Sequence, residues 1–208
     1  MYLYSRRTRL TTFDGVDWAN RVKDHVSTVT GNESQLWATQ YGEGYGTLSW
    51  TSWAPDLATL EAANDKLLVD DGYLKLSAEG AQYTTGGVDD LLLKPLYGEV
   101  DPERVVNYVS GVVAACAGGN IERAMTAGVE IAQRAEAVTG LPTMFLSNVT
   151  GPYGGIAWLT GYEDITAMEK ANDAINSDPA FLKLVDSTGG CFVEDPSITV
   201  QTIYRKIG

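Results

Sequence analysis

The chain contains two stretches of similar sequence. The first copy runs from Tyr45 to Leu76, and the second runs from Tyr153 to Leu184, 108 positions later. Internal similarity of this kind predicts two copies of one structural unit. The identical positions are Tyr45/Tyr153, Gly46/Gly154, Trp50/Trp158, Asp56/Asp164, Glu61/Glu169, Ala63/Ala171, Asn64/Asn172, Asp65/Asp173, Asp70/Asp178, Leu74/Leu182, Lys75/Lys183 and Leu76/Leu184.

The order of predicted elements is the same in both halves. Alternating apolar residues predict strands, and apolar residues three or four positions apart predict helices. The first half gives a strand at 2–10, a helix at 15–30, strands at 35–41 and 46–53 joined by a turn at Gly42-Glu43-Gly44, helical pieces at 56–69 and 72–82, and a strand at 90–97. The second half gives corresponding elements at 105–116, 120–139, 143–149, 155–160, 164–177, 179–186 and 198–205.

This order predicts two tandem ferredoxin-like βαββαβ units, at 1–98 and 105–208, with 99–104 as the linker. The strand at 155–160 has apolar residues on both of its faces: Ile156 and Trp158 on one, Ala157 and Leu159 on the other. A sheet that is apolar on both faces needs cover on both. We therefore predict an α+β fold in which the two antiparallel sheets pair into a pseudo-dimeric α/β barrel, with the helices outside.

The chain resembles the dimeric α+β barrel superfamily, in particular antibiotic-biosynthesis monooxygenase and NIPSNAP-like proteins. The resemblance rests on the two hairpins, the helix containing Ala171-Asn172-Asp173-Ala174, and the piece Asp178-Pro179-Ala180-Phe181-Leu182 with its counterpart Asp71-Gly72-Tyr73-Leu74. It implies a duplicated chain with the barrel fold. The superfamily includes oxygenases, haem enzymes, isomerases and proteins without known activity, so the fold alone does not assign the function.

Charge and cysteine content narrow the classes of partner. The net charge of −12 and pI near 4.4 argue against binding to nucleic acid or to anionic membranes. Cys116 and Cys191 form no disulfide framework, and the spacing between them is unlike that of metal ligands. We expect a cytoplasmic protein with two reduced thiols, no metal site and no cofactor, either a monomer with pseudo-two-fold symmetry or a homo-oligomer.

Asn64 and its counterpart Asn172 are the most informative polar residues. We place Asn64 on an apolar helical stripe with Leu60 and Leu67, which aims its amide at the sheet. Burying an amide without partners would cost about 1–3 kcal/mol. The amide therefore holds either a structural hydrogen bond or a ligand. The resemblance to cofactor-free oxygenases implies that asparagine and tryptophan could polarise a phenolic substrate and oxygen there.

Aromatic residues and one histidine complete the predicted site. Trp50 and Trp158 occupy equivalent positions, as core residues or as pocket walls, whereas Trp37 and Trp53 have no aromatic counterparts in the second half. This difference favours an open aromatic cavity in the first half. His25, the only histidine, borders the stripe of the first helix, as a general base or as an edge residue. A single histidine disfavours haem and zinc.

The predicted site thus has Asn64, His25 and Trp50 as catalytic residues. The substrate-binding residues are Tyr41, Trp37, Trp53, Asn172 and Trp158. The predicted function is small-molecule binding, as in a cofactor-independent monooxygenase or isomerase acting on an aromatic or polyketide-like substrate. The alternative is a non-catalytic ligand carrier or assembly scaffold of the same fold. Arg6, Arg7 and Arg9 could bind a carboxylate or could pair with the protein's own acids.

Overall fold

The computed structural model describes residues 1–42 and 44–208, so Glu43 of the predicted turn lies outside the described residues. The first half contains β1 (Tyr2–Leu10), α1 (Gly15–Thr30), β2 (Ser34–Tyr41), β3 (Thr47–Ala54), α2 (Leu57–Leu68), α3 (Asp71–Gly80) and β4 (Thr84–Tyr97). The second half contains β5 (Tyr108–Ala115), α4 (Ile121–Thr139), β6 (Thr143–Asn148), β7 (Gly155–Tyr162), α5 (Ile165–Ser177), α6 (Pro179–Ser187) and β8 (Val200–Lys206). The two copies of the repeated stretch therefore have the same local topology.

The strands close into one antiparallel barrel in the order β1-β3-β2-β8-β5-β7-β6-β4. Two contacts between the halves complete it: β2 pairs with β8, where Trp37 lies opposite Lys206, and β4 pairs with β6, where Leu93 lies opposite Asn148. Closure pairs the strand edges that each four-stranded sheet would otherwise leave open. The predicted α+β barrel is confirmed.

Strand β7 contributes to two separate apolar layers. On β7, Ile156 and Trp158 pack with helix α4 on the outside, whereas Ala157 and Leu159 pack inside the barrel. The inner cluster also contains Leu3 of β1 and several other residues: Leu93, Met144 and Leu146, with Trp53, Leu91 and Val100 packed against them. The alternation predicted for this strand is confirmed. It shows why both faces are apolar.

The helices begin and end with matching caps in the two halves. Asp56 and Asp164 each accept a hydrogen bond of 2.7 Å from a backbone N–H in the first turn of the following helix. A carboxylate at this position satisfies an amide that has no partner within the helix. Helices α1 and α4 end at Thr30 and Thr139, where the sequence predicts their ends, and each is followed by a glycine in the left-handed conformation, Gly31 and Gly140.

The fourth strand begins earlier than the sequence predicted. The sequence predicts this strand at 90–97, but β4 extends from Thr84 through Gly86 and Gly87 and pairs with the end of β1. The register shifts at this point, and Gly86 has a φ of 75° that fits a local irregularity of the strand. Within the described residues, no helix is long and apolar enough to cross a membrane.

Two tryptophans attach the long helices to the barrel. Trp50 donates its indole N–H to the carbonyl oxygen of Ala19 on α1 at 3.0 Å, and Trp158 donates to that of Gly128 on α4 at 2.8 Å. Both indoles are buried. Trp50 and Trp158 therefore fix the distance between each long helix and its sheet.

We predict that Trp50→Phe and Trp158→Phe each lower the free energy of unfolding by more than Trp53→Phe does. All three substitutions remove similar volume, but only the first two break an indole–backbone hydrogen bond, which contributes about 1 kcal/mol. Urea unfolding followed by circular dichroism measures the difference. A larger loss for Trp53→Phe than for the other two would contradict this role of the indoles.

Candidate functional site

His25 lies on the helical layer of the first half, bonded to an acid. Its Nε2 is 2.5 Å from Oδ1 of Asp70, the residue that caps α3 and accepts a bond from the Tyr73 amide. In the second half Arg134 binds Asp178, which caps α6, through bonds of 2.6–3.0 Å. The two halves therefore carry the same kind of contact between helices.

These contacts lower the pKa values of both carboxyl groups. The hydrogen bond from His25 lowers the pKa of Asp70, followed by the backbone N–H of Tyr73, and Arg134 is the largest cause of the lowered pKa of Asp178. Hydrogen bonds and positive charge favour the ionised form of a carboxyl group. Through this contact, His25 joins α1 to the start of α3.

The core-facing orientation predicted for Asn64 is wrong. Asn64 is exposed, and the buried residues of α2 are Ala63 and Leu67. Asn172 is half-buried, next to the buried Ala171 of α5. The apolar stripe passes through the alanine of each Ala-Asn pair. One residue corresponds to about 100° around a helix, so this shift turns the amide away from the sheet.

Trp37 and Trp53 lie inside the barrel, on a different side of the sheet from Trp50. The indole N–H of Trp37 donates to Oγ1 of Thr51 at 2.9 Å, and Trp53 packs against the inner apolar cluster. Tyr41 lies exposed at the end of β2. The structure therefore divides the predicted substrate-binding tryptophans between the barrel interior and the helical layers, and does not gather them into one pocket.

The helical layer of the first half is filled by aromatic side chains. The ring of Trp18 meets Trp50 edge-on at 5.6 Å and stacks on Tyr83 at 5.9 Å, and its N–H donates to the carbonyl oxygen of Leu76 at 2.8 Å. Only residues 81–83 connect α3 to β4 here. This short connection holds Tyr83 against Trp18, where an open cavity was predicted.

A polar cluster lies beside this layer, on the outer face of β1. Arg6 binds both carboxylate oxygens of Asp90, at 2.8 and 2.6 Å, and its third contact is to the hydroxyl of Tyr73 at 2.8 Å. The bond with Asp90 raises the pKa of Arg6, while burial raises the pKa of the neighbouring Tyr4. Burial opposes ionisation of Asp90, but its bonds with Arg6 keep its pKa below the usual value. Arg6 thus pairs with one of the protein's own acids.

The second half contains a groove that sequence reasoning did not identify. It has a volume of about 540 Å³ and lies between the end of α6 and the segment 188–199, and we call it the α6 groove. Its apolar wall includes Val185, Phe192 and Pro196. The ring of Phe192 meets Trp158 edge-on at 5.6 Å, so the wall continues into the buried aromatic layer of this half.

The α6 groove results from a difference in length between the halves. Twelve residues, 188–199, connect α6 to β8, whereas three residues, 81–83, connect α3 to β4. The longer segment folds back through backbone bonds from Ala117 to Cys191 and from Val193 to Ala115. The Gly189-Gly190 pair and the length of this segment were the signals in the sequence. The described residues form no group of three or more His, Cys, Asp or Glu side chains that could hold a metal ion.

No protein-family model and no curated protein matches the sequence. Solved structures match it over its full length. A proposed monooxygenase from Fusobacterium nucleatum has 10% identity and a TM-score of 0.71, with 100% of this chain and 92% of that chain covered. A second proposed monooxygenase, from Lactobacillus acidophilus, has 10% identity and a TM-score of 0.62, with 99% and 93% covered.

An anthrone oxidase-like protein has 13% identity and a TM-score of 0.63, with 100% of this chain and 93% of that chain covered. At such low identity the likeness shows the fold alone. This fold agrees with the closed eight-stranded barrel of the present chain.

We predict that Asn64→Ala changes the free energy of unfolding by less than about 0.5 kcal/mol, because exposed side chains without buried contacts contribute little. Urea unfolding provides the measurement, with Leu67→Ala as a buried control on the same helix, expected to cost about 2–5 kcal/mol. A loss for Asn64→Ala comparable to that of the control would restore the core-facing orientation.

The lowered pKa values of Asp70 and Asp178 predict how stability depends on pH. A carboxyl group whose pKa is lower in the folded state stabilises the fold above its ordinary pKa, and this contribution is lost as the pH falls through the folded value. We therefore expect the urea concentration at the unfolding midpoint to decrease once the pH is lowered beneath about 4. Asp178→Asn should reduce the fall between pH 5 and pH 2, whereas an unchanged profile would show that the contact with Arg134 contributes nothing.

Proposed function

We propose that the protein binds a small, largely apolar organic molecule in the α6 groove. The observation that carries this proposal is the groove itself, whose volume of about 540 Å³ lies within the range of small-molecule sites, roughly 300–1,000 Å³. The wall at Phe192 leads to Trp158 and then to Phe145, with ring centroids 5.6 and 5.3 Å apart. An aromatic ligand would extend this series of rings.

The charge around the groove favours a neutral ligand. Asp186, Glu194 and Asp195 are among its lining residues, and the whole chain has a net charge of −12. Asp195 binds the backbone N–H and the hydroxyl of Ser197, and these bonds lower its pKa. An anionic ligand would be repelled by these carboxylates. The proposed ligand class is therefore a neutral aromatic or polyketide-like molecule.

Two functions are compatible with such a ligand. The proposed monooxygenases and the anthrone oxidase-like protein of the same fold favour oxygenation of the bound molecule. The alternative is a carrier that binds without reaction. It is favoured by the position of the groove in the second half, because the predicted catalytic residues His25, Trp50 and Asn64 all belong to the first half.

We also propose that the halves at 1–98 and 105–208 arose by duplication of one βαββαβ unit. Equivalent bonds support the duplication: Trp50 and Trp158 each bind the long helix of their own half, and Asp70 and Asp178 each cap a helix and bind a basic side chain. After duplication, a longer segment between α6 and β8 would have opened the second half to ligands.

The experiment uses anthrone as a neutral aromatic probe. We expect anthrone to bind the purified protein, measured by isothermal titration calorimetry, and Phe192→Ala to weaken binding about tenfold through loss of the aromatic contact. Phe13→Ala is the matched control, because Phe13 is an exposed phenylalanine of the first half. Failure to bind anthrone, or equal weakening in both variants, would contradict the proposed site.

Turnover separates the two functions. Oxygenation of anthrone consumes one O₂ and gives anthraquinone and one water, so an oxygen electrode and the quinone absorbance follow the same reaction. Formation of quinone above the rate without protein, reduced in Phe192→Ala, supports the oxygenase. Saturable binding without quinone supports the carrier.

A further inference from the structure

Arg7 is a positively charged residue that faces the barrel interior. Its neighbour Arg6 faces the helices, where it binds Tyr73 of α3, while Leu3 of the same strand packs in the inner apolar cluster. Successive side chains of a strand point to opposite faces, so Arg7 shares the inner face with Leu3 and Ser5. The register places Arg7 opposite Ser49 on β3 and Asp89 on β4.

The guanidinium group of Arg7 lacks a protein partner on its Nε edge. Its Nε atom is buried and makes no hydrogen bond, and Arg7 takes part in none of the ion pairs found among residues 1–42 and 44–208. Arg6, by contrast, has partners on all three nitrogens. A buried donor of a charged group costs more than about 1–3 kcal/mol when it has no acceptor.

The inner face around Arg7 is polar. Ser5 and Ser49 are buried on the same inner face, at 8% and 5% exposure. The row of cross-strand neighbours continues from Ser49 to Trp37 and then to Lys206, which adds a second positive charge to the inner face. Asp89 is the acid nearest in register, but it is exposed and forms no ion pair with Arg7.

We propose that Arg7 is the centre of a second binding site, inside the barrel, that takes the carboxylate group of a small organic acid. The planar guanidinium group presents Nε–H and one terminal N–H side by side, which matches the two oxygens of a carboxylate. The hydroxyls of Ser5 and Ser49 would donate the further bonds that a buried anion needs.

This site differs from the α6 groove in position and in ligand charge. It lies on the inner side of the sheet, whereas the groove lies on the outer side in the second half. The groove is lined by acids, whereas Arg7 and Lys206 give the inner face positive charge. The two proposals therefore stand or fall independently.

The test follows the Arg7 Nε–Hε signal and the backbone amide signals of Ser5 and Ser49 by ¹H–¹⁵N NMR while sodium acetate replaces sodium chloride at constant ionic strength. We expect all three signals to move and to saturate. In the variants of Arg7 the two serine amides report binding: Arg7→Lys should bind acetate about tenfold more weakly, because it loses the paired hydrogen bonds, and Arg7→Gln should remove the saturable response. Asp89→Asn should strengthen binding, because it removes a negative charge facing the anion.

Arg6→Gln is the matched control, since it removes an adjacent arginine that faces the helices, and it should retain the acetate response. An Arg7 signal that does not respond to acetate beyond chloride, or a response lost in Arg6→Gln, would overturn the proposal. A response to inorganic phosphate equal to that to acetate would overturn the carboxylate class.

A stability measurement distinguishes a ligand site from a structural arginine. In buffer without carboxylates, Arg7→Met should have a urea midpoint equal to or higher than that of the original protein, because it removes a buried donor without a partner. Acetate should raise the midpoint of the original protein and leave that of Arg7→Met unchanged. A lower midpoint for Arg7→Met without acetate would show that Arg7 serves the fold, and would overturn the proposal.

Discussion

Closure of the barrel is the constraint on which the rest of the structure depends. Each half alone would be a four-stranded sheet with helices on one face and an uncovered apolar face on the other. Pairing of β2 with β8 and of β4 with β6 joins the edges of the two sheets and encloses that second face. The inner cluster around Leu3, Leu146 and Ala157 exists only because both halves contribute to it.

Closure also gives adjacent residues of one strand different chemical environments. Arg6 lies among helices and binds Asp90, so its charge is balanced within the protein. Arg7, one position later, lies inside the barrel with a buried Nε that has no partner. The outer face thus supplies contacts that hold helices, and the inner face supplies a donor for an anion. The alternation of the strand, applied to a closed barrel, separates a structural arginine from a proposed ligand-binding one.

The two halves share their framework and differ in their connections. Trp50 and Trp158 make equivalent bonds to the long helices, and His25–Asp70 has its counterpart in Arg134–Asp178. The segment before the last strand of each half differs, with three residues in the first and twelve in the second. Function in such a molecule is more readily assigned to the parts that differ, because the shared bonds are needed to hold both halves.

The sequence by itself determined the fold, because periodicity, glycine ends of helices and the repeated stretch are local signals that all agree. It did not determine which residues meet. Asn64 lies one position from the buried Ala63, and a helical stripe read from spacing alone does not resolve that difference. The environment of Trp37 depends on barrel closure. The α6 groove depends on how residues 188–199 fold back. Tertiary structure decided these points, because contacts between distant segments choose among orientations that local spacing leaves equally possible.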